Sequence, residues 1–144
     1  MVLKETVFDY EINLNLRSKV TILCGDTATG KSFLYDLLNR IKSRDDILCI
    51  NYDIMRKRNM CGIVINALKN TKNSIVVIDN MDDIQRINME LPYIINRDGG
   101  NNTFIIIGRS PKVTYTVSDL AKVVVKDNKI ELEYMFPESL RKIY

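Results

Sequence analysis

The sequence predicts an α/β domain in which a mainly parallel sheet, covered by helices on both faces, ends in antiparallel edge strands or a hairpin. Short apolar runs rich in β-branched residues recur at positions 20–24, 47–52, 74–79 and 103–107, stretches of helical period separate them, and turn residues set off alternating segments near either end. Strands covered on both faces read as continuous apolar runs, and strands alternating with helices need right-handed crossovers that leave their neighbours parallel.

The elements follow in order. Val7, Phe8, Tyr10, Ile12, Leu14 and Leu16 are interleaved with Asp9, Glu11, Asn13 and Asn15, the period of a strand or hairpin with one wet face. Arg17-Ser18-Lys19 turns the chain into the first buried strand, residues 20–24. From Lys31 the period changes: Phe33, Leu34, Leu37, Leu38 and Ile41 stand at helical spacing, so a helix begins where the glycines stop. A second buried strand is predicted at 47–52, a helix over 54–68, a third strand at 74–79, and a helix from 82 to about 96 that Pro92 kinks or divides. Gly99-Gly100-Asn101-Asn102 is a loop before the fourth strand, 103–107. Residues 122–125 and 129–134 flank the turn signal Lys126-Asp127-Asn128, which predicts a closing hairpin. No repeat, low-complexity tract or linker interrupts the chain, so residues 1–144 are predicted to form one domain.

Composition agrees. With 144 residues, 46% hydrophobic and 27% charged, the chain can bury about two-thirds of its unfolded surface without staples. Cys24, Cys49 and Cys61 are odd in number, widely spaced and set among apolar residues, which predicts buried thiols in a reducing, cytoplasmic setting. The absence of histidine excludes Ser-His-Asp and Cys-His catalysis and any His-ligated zinc. No apolar run approaches the roughly 20 residues needed to span a bilayer, and the first residues lack the features of a secretory signal. The formal charge of +3 is spread along the chain and does not imply nucleic acid by itself. Abundant Ile, Asn and Lys fit an AT-rich coding genome, bacterial or phage.

One motif carries chemistry. Gly25-Asp26-Thr27-Ala28-Thr29-Gly30-Lys31-Ser32 is a complete G-x-x-x-x-G-K-S placed after a predicted strand and before a predicted helix. Glycines let the backbone wrap round phosphate, and successive N–H groups with the helix N-terminus supply positive potential. In that pattern Lys31 reaches the β- and γ-phosphates and the Ser32 hydroxyl joins a Mg²⁺ shell.

On these residues the chain resembles a P-loop NTPase, with residues 20–32 matching the Walker A strand, loop and helix start. The resemblance implies the three-layer αβα P-loop fold, ATP and Mg²⁺ as ligands, and a cradle of residues 25–32 together with Phe33. Ile75-Val76-Val77-Ile78-Asp79 resembles a Walker B strand, whose acid would hold Mg²⁺ with Ser32; Asp53, ending the preceding strand, is the competing acid. Where many relatives carry a catalytic Glu this chain has Asn80, which can orient a water but cannot take its proton. Asp82 and Asp83 are alternative acids or simple helix-start partners. Arg109 and Ser110 follow the fourth strand where such ATPases often carry a sensor, and Arg109 could act on a neighbouring copy as an arginine finger; Arg86 and Arg97 are weaker candidates.

The flanking alternating segments resemble the edges of ABC-type and AAA-type ATPase cores, in which an aromatic such as Phe8 or Tyr10 stacks on adenine. No L-S-G-G-Q-like signature occurs, and too little chain follows the fourth strand for a helical lid. Tyr52-Asp53-Ile54-Met55-Arg56-Lys57-Arg58 is the most basic stretch, either the solvated start of a helix or a nucleic-acid contact. Three functions stay open: a weak Mg²⁺-dependent ATPase completed by a protein partner or second copy; a small-molecule or nucleotide kinase using Asp53, Arg56 and Arg58; and a nucleotide-gated interaction module whose loops near Met81 and Gly99 respond to ATP.

Overall fold

The computed structural model describes residues 1–25 and 30–138. In chain order the strands are β1 (Val2–Val7), β2 (Tyr10–Asn15), β3 (Val20–Leu23), β4 (Ile47–Ile50), β5 (Ile75–Ile78), β6 (Thr103–Ile107), β7 (Leu120–Lys126) and β8 (Lys129–Tyr134). The helices are α1 (Lys31–Asn39), α2 (Tyr52–Met55), α3 (Met60–Lys69), α4 (Met81–Ile87) and α5 (Glu90–Asn96).

All eight strands join one sheet in the order β1-β2-β8-β7-β3-β6-β5-β4. β3 lies between β6 and β7, β5 between β4 and β6, and these pairs are parallel. β1 with β2 and β7 with β8 form antiparallel hairpins, and β2 runs parallel to β8.

This architecture corrects the expected class. The chain does not form a three-layer αβα P-loop fold on a mainly parallel sheet. It forms one mixed sheet, curled into a half-barrel, with five short helices and more strand than helix. The two terminal hairpins, far apart in sequence, join edge to edge and extend the sheet by four strands; no local pattern announces a pairing of β2 with β8. The helices are also shorter than expected. Pro92 lacks an N–H and its ring would clash with the carbonyl four residues earlier, so the 82–96 segment breaks near Asn88 into α4 and α5. Left-handed Asn59 (φ 66°) separates α2 from α3 within the segment expected as one helix.

Side-chain alternation gives the sheet two cores. On one face Leu3, Ile12, Leu14, Val123 and Ile130 of the hairpins curl with Leu23, Val77 and Ile105 around Leu34, Tyr35, Leu37 and Leu38 of α1. On the other, Ile22, Val76, Ile78, Phe104 and Ile106 pack against Met55, Ile65, Leu68, Ile84, Leu91 and Ile95 of the remaining helices. β3 and β5 are buried at every position, as their unbroken apolar runs require. The β7–β8 hairpin turns through Asp127 and Asn128, both at positive φ (52° and 61°), the conformation that selects such residues. Tyr134 anchors β8: its hydroxyl donates to the Asn15 carbonyl at 2.7 Å, and the Arg17 guanidinium sits 3.9 Å from its ring centroid.

Asp98, between α5 and β6, organises the opposite edge. Its carboxylate pairs with Lys19 at 2.9 Å and accepts from the Gly100 and Asn102 backbone amides and from Asn102 Nδ2 at 2.7 Å. Any side chain at Gly100 would strike the Thr71 carbonyl. Burial pulls the Asp98 carboxyl upward, but Lys19, Asn102 and the amides outweigh it and hold the carboxyl below the usual range. A depressed folded-state value means this stabilisation is complete above the unfolded carboxylate range and fades as pH falls through the folded value. Asp98→Ala is therefore expected to lower stability by about 1–3 kcal/mol at neutral pH. Denaturant titrations should show the difference from the parent shrinking at the most acidic pH values; an undiminished difference there contradicts the assignment.

Candidate functional site

Because β3 to β7 run the same way, their carboxyl ends share one edge, and there the chain places Gly25, Asn51, Asp79 and Gly108. The turns of both hairpins open on that edge, tied together where the Glu11 amide donates to the Asn128 carbonyl at 2.8 Å.

Gly25 (φ 110°) leaves β3 and Gly30 (φ 87°) caps α1, backbone conformations that other residues adopt only with strain. A Cβ on Gly30 would also lie 3.3 Å from Val125 Cγ2. The Lys31 ammonium reaches back to donate to the Gly25 carbonyl at 2.6 Å, bridging the two ends of the loop. Ser32 and Phe33 are exposed in the first turn of α1. The expected contacts through Asp26, Thr27, Ala28 and Thr29 lie outside the described residues. Of the two aromatics considered for base stacking, Tyr10 packs edge-on to Phe33 with centroids 4.9 Å apart, whereas Phe8 projects from the β1–β2 turn with the Arg40 guanidinium 5.6 Å from its ring. Phe33, Phe8 and Val125 are all solvent-exposed large apolar side chains.

Asp79 is half-buried at the end of β5, its amide donating to the Ile50 carbonyl at 2.9 Å. Burial pushes its carboxyl above the usual carboxylate range; the Asn80 amide and Lys31 oppose that, and Asp36 and Asp53 add to it. Lys31, Asp36 and Asp53 thus each lie within electrostatic reach of Asp79. Beneath them Tyr35, on α1, is buried, and its hydroxyl is the one buried side-chain polar atom among the described residues without a hydrogen-bond partner. Burial pushes the Tyr35 phenol above its usual range and makes it a weaker acid, as do the neighbouring Cys49, Asp79 and Asp36, while the Asn51 side chain opposes the rise. Burial also pushes the Cys49 thiol up to about 11, so it is protonated and unreactive at neutral pH. All three cysteines are free thiols, half-buried rather than fully enclosed.

This donor set suits a divalent ion shared with a phosphate chain. One half-buried carboxylate, Asp79, with the Ser32 hydroxyl and the Lys31 ammonium leaves room for retained waters and phosphate oxygens, which is how Mg²⁺ is usually held. Among the described residues no group of three or more acids or thiols could hold an ion unaided.

Asn80 takes a left-handed conformation (φ 58°, ψ 50°) at the start of α4, without a side-chain cap. That backbone explains why an amide stands where a longer acid was expected: Asn tolerates the region far better. The alternative acids are committed. Asp82 accepts from the Arg109 and Ser110 amides at 2.7 and 2.9 Å, and Asp83 pairs with Arg86 at 2.8 Å. Gln85 completes the clamp, donating to the Ser110 carbonyl and accepting from the Lys112 amide. The loop after β6 is therefore held against α4, leaving the Arg109 side chain exposed beside Ser110, Lys112 and Met89 in a shallow cavity of about 440 Å³.

Other expectations are not brought to the centre. Asp53 is exposed and pairs with Arg56 at 3.1 Å, so Arg56 already has a partner in the basic stretch. Arg97 stacks on Tyr93 at 4.3 Å. Met81 is fully buried, and Gly99 lies at the amino end of β6, so the two expected loop positions occupy opposite edges. No helix among the described residues is long and apolar enough to cross a membrane. No family model, curated protein or solved structure matches the chain.

Sequence reasoning passed over Tyr35, Asp36 and Asn51. Tyr35 falls on the apolar stripe with Leu34, Leu37 and Leu38, a position where a hydroxyl must find company or be orphaned. Asn51 is an N-cap, its Oδ1 accepting from the Ile54 amide at 2.8 Å, a role its place before an apolar helix signals.

If Asp82 is a clamp and not a proton acceptor, Asp82→Ala should lower stability by about 1–3 kcal/mol. It should also speed amide exchange at Arg109 and Ser110; unchanged exchange at both would refute the clamp.

Proposed function

We propose that the chain binds a Mg²⁺-nucleoside triphosphate, ATP by preference, through residues 25–32, and hydrolyses it slowly. The observation that carries this reading is the pairing, at one sheet edge, of a glycine-bounded turn closed by Lys31 with the half-buried carboxylate of Asp79. Positive φ at Gly25 and Gly30 calls for glycine at both ends of the segment, and the start of α1 adds the positive end of a helix dipole. Lys31 would exchange its bond to the Gly25 carbonyl for phosphate oxygens. Ser32 and Asp79 would hold the ion, which when bound offsets the charge of the phosphates. Phe33, Phe8 and Val125 provide apolar surface beside the loop for a base.

Slow turnover follows from the second half of the site. Asn80 can hold a water but cannot accept its proton, and Asp82 and Asp83 are engaged elsewhere. The exposed Arg109 is available to a second copy or a protein partner, which would complete the site in trans. The same commitments favour a second reading, a nucleotide-gated interaction module without turnover. Stoichiometric bound nucleotide and no phosphate release under any condition would select it.

Lys31→Ala should abolish binding of a fluorescent ATP analogue while leaving the folded state intact by circular dichroism; undiminished affinity would refute the proposal. Asn80→Glu should raise phosphate release by about 100-fold. That variant should also be about 1 kcal/mol less stable, because Glu is strained at positive φ. No gain in rate would place the missing base elsewhere.

A further inference from the structure

The buried hydroxyl of Tyr35 has no role in folding that its surroundings reveal. α1 packs on β4 and β5, and strand alternation puts Cys49, Asn51, Val77 and Asp79 on the face beneath it. Tyr35 stands 3% exposed, yet its oxygen finds no hydrogen-bond partner among the described residues. Phenylalanine would fill the same space without an orphaned polar group, which is unfavourable in a dry core.

The neighbours determine what the hydroxyl can do. Asn51 Oδ1 already accepts from the Ile54 amide, and its side chain lowers the Tyr35 pKa, the effect of a donor, so Asn51 turns its Nδ2 side towards the phenol oxygen. The tyrosine proton then needs an acceptor, and the acceptors on this side are the carboxylates of Asp79 and Asp36. Asp36 is exposed to solvent, whereas Asp79 is half-buried and has few competing donors.

We infer that Tyr35 is a positioning residue whose hydroxyl, without a hydrogen-bond partner among the described residues, donates to one oxygen of Asp79 when nucleotide and Mg²⁺ bind, leaving the other oxygen directed at the ion's shell. This rests on the nucleotide-binding reading above. Tyr35 touches neither phosphate nor base; it acts through Asp79 alone.

The test compares the affinity of a fluorescent ATP analogue with Mg²⁺ and with EDTA in the parent chain, Tyr35→Phe, Asp79→Asn and the double variant. The parent should bind more tightly with Mg²⁺, and Tyr35→Phe should lose about tenfold of that gain while keeping its EDTA affinity. In the Asp79→Asn background the tyrosine substitution should have no further effect. Thermal unfolding of the ligand-free protein should be unchanged or raised by Tyr35→Phe. Full Mg²⁺ gain in Tyr35→Phe, an equal loss in the Asp79→Asn background, or a lowered ligand-free midpoint would each overturn the inference and leave nucleotide binding standing. Absent binding by the parent, or binding indifferent to Lys31→Ala, would instead remove both.

Discussion

The parallel register of β3, β5 and β6 is the constraint on which the rest depends. These strands are buried on both faces and almost wholly apolar, Thr21 lying against the Tyr134 hydroxyl, so their chemistry is left to the ends. Their common direction gathers those ends at one edge: the glycine turn after β3, Asp79 after β5 and Arg109 after β6 are neighbours in space although far apart in the chain. The 2.6 Å bond from Lys31 to Gly25 closes that edge's most electropositive element on itself, and Asp79 faces it with a carboxylate whose burial makes unaccompanied charge unfavourable.

Around this centre the molecule divides its labour. The clamp of Asp82 and Gln85 fixes the loop bearing Arg109, and Asp98 does the same for the loop entering β6 from the other side. Both use a carboxylate or amide to satisfy backbone N–H groups that would otherwise face solvent without a partner. Asp82 and Asp98 are thereby diverted into structure, and Asp79 is left as a half-buried acid with no ion-pair partner among the described residues.

Much of the architecture could be read before the structure. Residues 103–107 and the closing hairpin fall where apolar run and turn chemistry put them, and the helix begins at Lys31 where the glycines end. The fold class could not be read so, because it turns on the pairing of β2 with β8, two half-polar strands whose register, Ile12 opposite Ile130, leaves no local mark. The helix boundaries were obscured by left-handed Asn residues: at Asn59 and Asn80 a residue type that looked like compositional bias supplies the positive φ that starts α3 and α4. At the site, motif spacing singled out Lys31, Ser32 and Asp79, but Tyr35 was hidden among leucines, since helical periodicity marks a buried position without revealing whether its polar atom has company.

The most direct test of the central claim is a titration of the ¹⁵N-labelled protein with Mg²⁺-ATP, followed by amide chemical shifts. The account predicts that the amides of Gly25, Gly30, Lys31 and Ser32 move together, saturate at one equivalent, and are joined by Asp79 only when Mg²⁺ is present. Saturable shifts that leave residues 25–32 unmoved, or no shifts at any ATP concentration that retains the folded spectrum, would contradict it.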